Sequence, residues 1–421
     1  MTTRVAYLTS QYPALSHTFI EREVRAVRAA GVEVATFSVR PCPPQEIRSQ
    51  AMRADAAATP TLRGSTASTW ARAHADLARR APRVLAAGLA QALSSGPATP
   101  KGRTWQLFYL AEAVLLYERL RAAGITHVHA HFANVACDVA RLVTYLGRVE
   151  DGPDSPWRWS FTMHGPTEFE AVEAFDLPAK VRSADGIACI SDFCRSQLMR
   201  FVDPEHWTKM AVVRMSVDPA QYYPRPAADP ADPHGPTRLL SVGRLVPEKG
   251  SPVLLQALRM VRDRGVDTHA RIVGAGELRD SLAGALTAAG MTEQVELTGP
   301  IGQDDLPAMY RDSDVFVLPS FSEGLPVVLM EAMATGLPVV TTQIAAVSEM
   351  VQDGVNGLLV PPGRADLLAE AILRLAADPD LRERMGRAGR ERILAEFTPE
   401  VTGPAMADFL RGVTACRSQR A

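Results

Sequence analysis

The sequence predicts an α/β protein made of two doubly wound, Rossmann-like domains. Three observations predict this class: apolar strands alternate with helical segments in both halves of the chain, a Pro-rich segment separates the halves, and the composition is that of an ordered globular protein. The chain has 421 residues, of which 47% are hydrophobic and 22% charged, so it is long enough for two such domains. Strands that alternate with helices form parallel sheets covered on both faces.

The first half begins with a strand over Arg4 to Ser10, followed by a helix over 20–30 and a strand over 32–39. The apolar part of the first strand is too short for the core of a signal peptide, so we expect no cleaved leader. No apolar run approaches the ~20 residues that a membrane helix needs. The strand pattern resumes at 127–131, 159–163, 186–190 and 210–214.

An Ala- and Arg-rich stretch over residues 41–124 interrupts this alternation and predicts a helical insertion. Its central part is strongly cationic, because only Asp76 opposes Arg63, Arg72, Arg79, Arg80, Arg83, Lys101 and Arg103. Two interpretations stay open. The cations form a solvated helical face, or they make a peripheral contact with an anionic lipid surface.

Six prolines mark the boundary between the halves, and helices and central strands do not accommodate such a run. They are Pro219, Pro224, Pro226, Pro230, Pro233 and Pro236. We therefore expect a first domain over 1–216, a linker over 217–237, a second domain over 238–397, and a C-terminal helix over 398–421 that could cross back to the first domain.

The second half repeats the strand and helix alternation. Strands are predicted over 238–242, 269–273, 294–298, 315–318 and 338–341, and helices over 252–264, 278–289, 304–311, 326–335 and 365–377. We expect the carboxyl ends of the two sheets to face each other across a cleft, because doubly wound folds bind ligands at that edge.

Charge and cysteine content exclude several classes of protein. Lys and Arg number 45 against 47 Asp and Glu, a net charge of −2, which disfavours nucleic-acid binding over a broad face. The five cysteines form no CxxC pair, which argues against a disulfide framework and a zinc ribbon. A reducing, cytoplasmic location fits this pattern.

The segment Ser241 to Gly250 (SVGRLVPEKG) is the first of three that indicate a phosphorylated ligand. It places Arg244 and Lys249 directly before a helix with Ser251 as the expected N-cap. An anion at this point gains from two cations and from unsatisfied helix N–H groups. Taken alone, these cations are equally well explained as solvated side chains.

The second segment, Val273 to Glu277 (VGAGE), contains Gly274 and Gly276. It does not match the dinucleotide fingerprint, because Arg279 stands where a third glycine is needed. The two glycines allow a backbone to approach a ligand closely, and an ordinary tight turn explains them equally well.

The third segment, PSFSEGLPVVLME, places Glu323 near a helix start and Glu331 inside that helix. Both carboxylates could simply complement the helix dipole or face solvent. Glu331 has apolar neighbours on both sides, however, and a carboxylate in such surroundings requires donors. The hydroxyls of a ribose or a hexose supply them.

On these residues the sequence resembles the retaining glycosyltransferases of family 4, which have the GT-B fold. The resemblance is carried by residues 243–250 and 273–277 and by Glu323 and Glu331 with seven residues between them. Further matches are SEGLP at 322–326, GLP at 336–338 and DGVNGLLV at 353–360. It covers most of residues 238–400, and more loosely the segments at 11–20, 162–165 and 188–191.

The resemblance implies roles for single residues. Arg244 and Lys249 would hold the diphosphate of a nucleotide sugar, with Gly243, Gly274 and Gly276 in the donor-binding loops. Glu331 would bind the ribose, Glu323 would contact hydroxyls of the donor sugar, and Gly324 and Leu325 would supply backbone amides. His164 would face the donor sugar. No metal or other cofactor is implied.

One segment departs from the family pattern. Many members have a paired-glycine loop after the first strand, where this chain has residues 12–17 (YPALSH). Ser16 and His17 would substitute for the missing amide contact.

The sequence says less about the acceptor than about the donor. The acids Glu168, Glu170, Glu173 and Asp176 could attract a cationic acceptor, such as the aminocyclitol 2-deoxystreptamine in aminoglycoside antibiotic biosynthesis, or form a solvated helix face. The basic insertion would instead suit a lipid-linked or polymer acceptor in exopolysaccharide assembly. We expect a small polar acceptor and a UDP-hexose or UDP-N-acetylhexosamine donor.

Two other functions stay open. Glu323 and Glu331 could serve as the acid and nucleophile of a glycoside hydrolase, or the chain could bind nucleotide sugars without catalysis. His127, His129 and His131 share one face of a strand and could ligate zinc. No acidic or cysteine ligand is apparent near them in the sequence, which favours packing.

Overall fold

A computed structural model describes residues 2–14, 17–47, 49–226 and 235–415. The chain divides into two compact units. Unit 1 comprises Met1–Arg214 and Thr402–Ala421, and unit 2 comprises Met215–Val401. Each unit contains a six-stranded sheet in which all paired strands are parallel, as the sequence predicts.

The sheet of unit 1 has the strand order β2-β1-β3-β4-β5-β6. Its strands are β1 (Arg4–Gln11), β2 (Glu33–Arg40), β3 (His127–His131), β4 (Arg158–Met163), β5 (Gly186–Cys189) and β6 (Met210–Val212). The helices assigned to this half are α1 (Thr18–Ala29), α2 (Gln50–Ala58), α3 (Ala67–Arg80), α4 (Pro82–Ser94), α5 (Pro100–Ala123), α6 (Val135–Asp151), α7 (Thr167–Glu170), α8 (Leu177–Ser183) and α9 (Asp192–Met199).

Helix α1 packs on the sheet because its apolar side chains recur every three or four residues. They join a buried cluster that also contains residues of β1, β2 and the C-terminal helix α17 (Pro399–Ala415). Its members include Val5, Tyr7, Ile20, Val24, Val27, Val34, Met406 and Leu410. The C-terminal helix therefore belongs to unit 1 from Thr402 onward.

The insertion over 41–124 contains the helices α2 to α5 and is less cationic than its sequence suggests. Arg63 pairs with Glu112, with 2.6 Å between Nε and Oε1. Arg80 pairs with both Glu118 and Glu150, at 2.7 and 3.0 Å. The neutralising acids lie on α5 and α6, outside the cationic stretch. Within the described residues, no helix is both long enough and apolar enough to cross a membrane.

The sheet of unit 2 has the strand order β12-β11-β10-β7-β8-β9. Its strands are β7 (Thr237–Val242), β8 (Thr268–Val273), β9 (Val295–Gly299), β10 (Val315–Leu318), β11 (Val339–Thr342) and β12 (Gly357–Val360). Its helices are α10 (Ser251–Asp263), α11 (Arg279–Ala288), α12 (Leu306–Arg311), α13 (Val327–Ala334), α14 (Val347–Met350), α15 (Ala365–Ala377) and α16 (Pro379–Glu396).

Strands β7 and β10 are neighbours in the sheet of unit 2, and both run in the same direction. Their carboxyl ends therefore meet at one edge, which brings the loops after them together. These two loops carry Arg244, Lys249 and Glu323, three of the residues predicted for the site.

Candidate functional site

The loops after β7 and β10 are joined by hydrogen bonds. The backbone N–H of Phe321 donates to the carbonyl oxygen of Glu248 at 2.7 Å. Lys249 Nζ donates to Glu323 Oε1 at 2.6 Å, and Ser320 Oγ donates to the same oxygen at 2.6 Å. The side chains of Lys249 and Glu323 are 19% and 8% exposed, so this ion pair lies at the edge of the solvent.

Gly250 is the residue that lets these loops approach. Its φ is +65°, and a Cβ atom there would lie 2.1 Å from the carbonyl oxygen of Pro319. Only glycine fits both conditions. Gly250 is also the N-cap of α10, and Ser251 is its first helical residue, so the expectation that Ser251 caps this helix is wrong. The carbonyl of Gly250 accepts the first helical hydrogen bonds, from Val253 and Leu254.

The loop glycines pack backbone against backbone. A Cβ atom at Gly274 would lie 1.9 Å from the carbonyl oxygen of Gly243, and one at Gly276 would lie 2.3 Å from that of Leu245. Leu245 N–H also donates to the Ala275 carbonyl at 2.8 Å. The need for glycine at 274 and 276 is thus explained by contact between the loops after β7 and β8.

Glu331 is 2% exposed on α13, and its Oε2 accepts a hydrogen bond from Tyr310 Oη at 3.0 Å. Tyr310 lies on α12 and stacks on Phe316 of β10, with 5.6 Å between ring centroids. Tyr310 is not predicted from the sequence, because its partner lies 21 residues away on another helix. The contact fixes the orientation of the Glu331 carboxylate.

The remaining predicted residues of unit 2 differ in exposure. Leu325 is buried and Gly324 is half-buried at the start of α13. Arg244 is exposed, and it forms no hydrogen bond or ion pair with any residue that the structure describes. The structure therefore joins Lys249 to Glu323 and leaves the Arg244 guanidinium in solvent.

In unit 1, the histidines of β3 form a buried polar ladder with the neighbouring strand β4. Ser160 Oγ lies 2.7 Å from His127 Nε2 and 2.8 Å from His129 Nδ1. Thr162 Oγ1 lies 2.9 Å from His129 Nε2, and His131 Nδ1 lies 3.1 Å from His164 Nε2. Strand spacing puts these side chains on one face of the sheet.

Burial keeps these imidazoles neutral. Burial, and then the nearby Arg158 guanidinium, lowers the pKa of His127 to about 3. Burial, and then His17, lowers the pKa of His131 to about 3. The pKa of His164 is well below its usual range for the same first reason, desolvation.

The zinc interpretation of β3 can be judged from its donor set. The structure brings Glu23 of α1 to His129 and His131, with the ligand atoms of all three within 4.8 Å of one another. An acidic side chain does therefore lie near the histidines, which the sequence analysis misses. His129 uses both nitrogens in bonds to hydroxyls, however, so only Glu23 and His131 are left. Two ligands do not make a zinc site.

His164 lies in an aromatic cluster at the end of β4. Its ring centroid is 4.5 Å from that of Phe132 and 4.9 Å from that of Phe19. His17 also packs on Phe132, at 4.8 Å, so two of the predicted site residues share this neighbour. Ser16 lies outside the described residues. Phe132, which has a φ of +65°, is not predicted from the sequence.

The four acids after His164 do not form one surface. Glu168 is buried, and its Oε1 accepts a hydrogen bond from the Ala133 N–H at 3.2 Å. Asp176 Oδ2 accepts hydrogen bonds from Arg141 Nη1 at 3.3 Å and from the Gly96 N–H at 3.1 Å. Both carboxylates therefore accept hydrogen bonds from internal donors, and the buried Glu168 is not part of a solvated helix face.

The chain is similar in sequence to known glycosyltransferases. The family described as "Glycosyl transferases group 1" matches residues 227–392. Escherichia coli K12 WcaL, a glycosyltransferase assigned to colanic acid biosynthesis, is 35% identical over 55% of this chain and 58% of its own. The alpha-D-kanosaminyltransferase of Streptomyces kanamyceticus is 33% identical over 42% of this chain and 45% of its own.

A third relative is the GDP-mannose-dependent alpha-(1-6)-phosphatidylinositol monomannoside mannosyltransferase of Mycobacterium tuberculosis. It is 32% identical over 55% of this chain and 63% of its own length. The chain thus spans about half to three fifths of the curated relatives that it matches.

Solved structures match nearly the whole chain. The sucrose-phosphate synthase of Thermosynechococcus elongatus superposes with a TM-score of 0.69 at 20% identity, covering 98% of this chain and 99% of its own. Anabaena HepE, solved in complex with UDP, gives 0.69 at 15% identity, covering 98% and 100%. The chain has the GT-B fold, and its residues 227–392 match the glycosyl transferases group 1 family.

Proposed function

We propose that the protein is a retaining glycosyltransferase of the family 4 type, which moves a hexosyl or N-acetylhexosaminyl group from a nucleotide sugar to a hydroxyl of its acceptor. The observation that carries this proposal is the Lys249–Glu323 pair, held at the carboxyl edge of the sheet of unit 2 by the loops after β7 and β10. Within a glycosyl transferases group 1 domain, this edge is the natural place for a phosphorylated ligand.

The cations of these loops are suited to a diphosphate. The Lys249 ammonium has three N–H donors, of which Glu323 takes one, so two are left for phosphate oxygens. The exposed Arg244 guanidinium adds a fork of donors that matches phosphate geometry. Negative charge grows on the diphosphate as the glycosidic bond breaks, so fixed cations stabilise the transition state more than the ground state.

The side chains of Glu323, Glu331 and His164 are suited to bind the donor sugar and the ribose. Glu323 Oε1 accepts the bonds from Lys249 and Ser320, and Oε2 accepts none from the described residues, which leaves it for a hydroxyl of the donor sugar. Glu331, oriented by Tyr310, would accept from the ribose. His164 would contact the donor sugar through Nδ1. Gly324 and Leu325 would donate backbone N–H groups, and no cofactor enters this scheme.

UDP is the nucleotide that we propose first, because HepE, of the same fold, was solved with UDP. GDP is the alternative, since the name of the Mycobacterium tuberculosis relative specifies GDP-mannose. For the acceptor, the name of the kanosaminyltransferase supports an aminocyclitol. The internal use of Glu168 and Asp176 removes two of the four acids that would attract a cationic acceptor.

A lipid-linked acceptor is favoured by one specific feature of unit 1. The helices α4 and α5 pack as a hairpin, and Arg103 Nη1 donates to the Ser95 carbonyl at 2.7 Å across their connection. Five large apolar side chains on these two helices are 39–57% exposed: Leu89, Leu93, Trp105, Leu107 and Phe108. Lys101 and Arg103 lie within the first turn of α5. Exposed apolar side chains on helices that also carry cations are suited to an anionic bilayer.

The transfer activity is tested with a mass-spectrometric screen. UDP-, GDP- and ADP-sugars are combined with aminocyclitol and lipid-phosphate acceptors, and both the product mass and the released nucleotide are recorded. We expect one product that carries a single added sugar. Release of sugar from a simple glycoside without nucleotide would identify a hydrolase, and donor binding without product from any acceptor would identify a binding module.

The membrane contact is tested by flotation with vesicles that contain phosphatidylglycerol. We expect the double substitution Trp105→Ala and Phe108→Ala to reduce the vesicle-bound fraction at least threefold, because two partly exposed aromatic side chains supply much of the apolar contact. Trp207→Ala is the matched control, since Trp207 is 36% exposed outside the hairpin. Equal binding of the wild type and the double variant would contradict the hairpin contact.

A further inference from the structure

A series of polar contacts in unit 1 leads from Tyr7 to His164. Tyr7 Oη donates to Glu23 Oε1 at 2.8 Å. The same carboxylate oxygen lies 3.5 Å from His131 Nε2. On the other side of its ring, His131 Nδ1 lies 3.1 Å from His164 Nε2. The series therefore connects a helix, α1, to the histidine at the end of β4 through one intervening imidazole.

The two rings share one hydrogen bond, and each has one nitrogen without a partner. His131 Nε2 and His164 Nδ1 are buried, and neither has a hydrogen-bond partner in the described parts of the chain. A neutral imidazole has one N–H and one lone pair, so one nitrogen donates and the other accepts. The bond between the rings therefore couples their tautomers: the state of His131 determines the state of His164.

Glu23 decides between the two coupled arrangements. When it is a carboxylate, an N–H at His131 Nε2 faces it favourably, so His131 Nδ1 accepts from the Nε2–H of His164. His164 Nδ1 is then a lone pair. When Glu23 is protonated, its O–H can donate to His131 Nε2, His131 Nδ1–H donates to His164 Nε2, and His164 Nδ1 carries the proton.

We propose that Glu23 and His131 are positioning residues that determine whether Nδ1 of His164 accepts or donates a hydrogen bond. With Glu23 ionised, Nδ1 accepts a hydrogen bond from a hydroxyl of the bound sugar. This last step rests on the proposed function, which places the donor sugar at His164. The coupling of the tautomers stands on the contacts of unit 1 alone.

The groups around this series place the midpoint of the tautomer change near neutral pH. Burial raises the pKa of Glu23 to about 7, and the hydrogen bond from Tyr7 opposes this rise. Burial keeps His131 and His164 uncharged, as described above. The other titratable groups that face this series are His129 on β3 and His17 before α1, and burial also lowers the pKa of both. Between pH 6 and 8, Glu23 is therefore the group of the series that titrates.

The tautomers can be measured directly by NMR of the full chain with ¹⁵N-labelled histidine, without substrate. At pH 8 we expect His131 and His164 to carry the proton on Nε2. Toward pH 6 we expect both to shift together toward the Nδ1–H form, with a common midpoint near 7. His127 and His129 are internal controls, because their hydrogen-bond partners are hydroxyl groups, including that of Thr414. An Nδ1–H form of His164 at pH 8, or tautomers that do not change with pH, would overturn the proposal.

Two variants test the role of Glu23. Glu23→Gln keeps an oxygen toward Tyr7 and His131 but removes the titrating group, so the change between pH 6 and 8 should be lost. Tyr7→Phe removes the hydrogen bond that lowers the pKa of Glu23, so the midpoint should move to higher pH. If Glu23→Gln does not fold, the Tyr7→Phe midpoint decides, and an unchanged midpoint in that variant overturns the coupling.

The same variants separate this inference from the proposed function. If transfer is found, kcat of the wild type should depend on pH between 6 and 8, and this dependence should be lost in Glu23→Gln. If no sugar is transferred, the proposed function fails, while the NMR result still decides the coupling. If sugar is transferred but the tautomers of His131 and His164 do not change together, the positioning role is refuted and the proposed function stands.

Discussion

The two groups of polar side chains in this protein are buried to different degrees and differ in charge. The ladder of unit 1 consists of uncharged imidazoles and hydroxyls that are hydrogen-bonded to one another inside the sheet layer. In unit 2, Lys249 and Glu323 are opposite charges in loops at the edge of the solvent. A buried network must lose its charges to avoid the cost of desolvation, whereas an ion pair at an edge retains them. The first group therefore links stability to pH, and the second is available for a charged ligand.

The largest effect that we expect is the loss of activity when Lys249 is replaced, with a smaller change in thermal stability. Lys249→Ala should lower kcat by a factor of about 10² to 10³, or about 2.7 to 4 kcal/mol of barrier, as for removal of one preorganised donor. Nucleotide release under saturating donor measures it. The thermal midpoint should change less, because Lys249 is partly exposed and Ser320 still donates to the buried Glu323 carboxylate. Arg264→Ala is the control, since Arg264 forms an exposed pair with Glu370. A kcat within threefold of the wild type would place the catalytic charge elsewhere.

A smaller effect, on stability, is expected where the two loops of unit 2 touch. Gly250→Ala should destabilise the protein by roughly 2 kcal/mol or more, because it adds left-handed strain and a Cβ atom 2.1 Å from the Pro319 carbonyl oxygen. Gly265→Ala is a matched control with a φ of +75° and no atom within 4 Å, and should cost about 1 kcal/mol. Urea unfolding followed by circular dichroism gives both values. Equal losses of unfolding free energy in the two variants would show that the loops can move apart with little loss of stability.

The effect that is smallest per pH unit concerns the ladder of unit 1 in acid. The folded pKa of His127 is about 3, below the ordinary value of 6.5, so the unfolded state binds more protons between these values and stability falls as pH falls from 6.5 toward 3. Each such histidine contributes at most about 1.4 kcal/mol per pH unit. All five tryptophans precede residue 208, so their fluorescence reports on the unfolding of unit 1.

His127→Gln should therefore make the decline of unfolding free energy between pH 6 and 4 shallower. Thr414→Val is its control, because it removes a hydrogen bond of the same imidazole but no titrating group. That variant should lose about 1 kcal/mol at every pH and keep the slope of the wild type. If His127→Gln has the slope of the wild type, His127 is not a source of the acid sensitivity.

Much of the fold follows from sequence patterns, because buried parallel strands are continuous apolar runs. The ends of β7, β8 and β10 are predicted from the sequence to within one residue. Strand β12 is not predicted, although it is no shorter than β10, because it begins at Gly357 directly after a turn that contains glycine. Glycine before and at the start of a short run indicates a loop rather than a strand.

The residues of the candidate sites also divide into those that the sequence predicts and those that it does not. Lys249 and Glu323 are predicted because each lies near a helix start after a strand, a local pattern of sequence. Glu23 and Tyr310 are not predicted, because their partners, His131 and Glu331, lie on other elements. No local spacing encodes such a contact.

The sequence alone determines the alternation of strands and helices, the Pro-rich boundary and the loops that carry cations and carboxylates, because these depend on neighbours along the chain. Tertiary structure decides which side chains are partners and which are charged. It buries Glu168, pairs Asp176 with Arg141, brings Glu23 to the histidines of β3 and leaves Arg244 in solvent. Protonation depends on burial and on the nearest donors, which only the folded arrangement of distant segments provides.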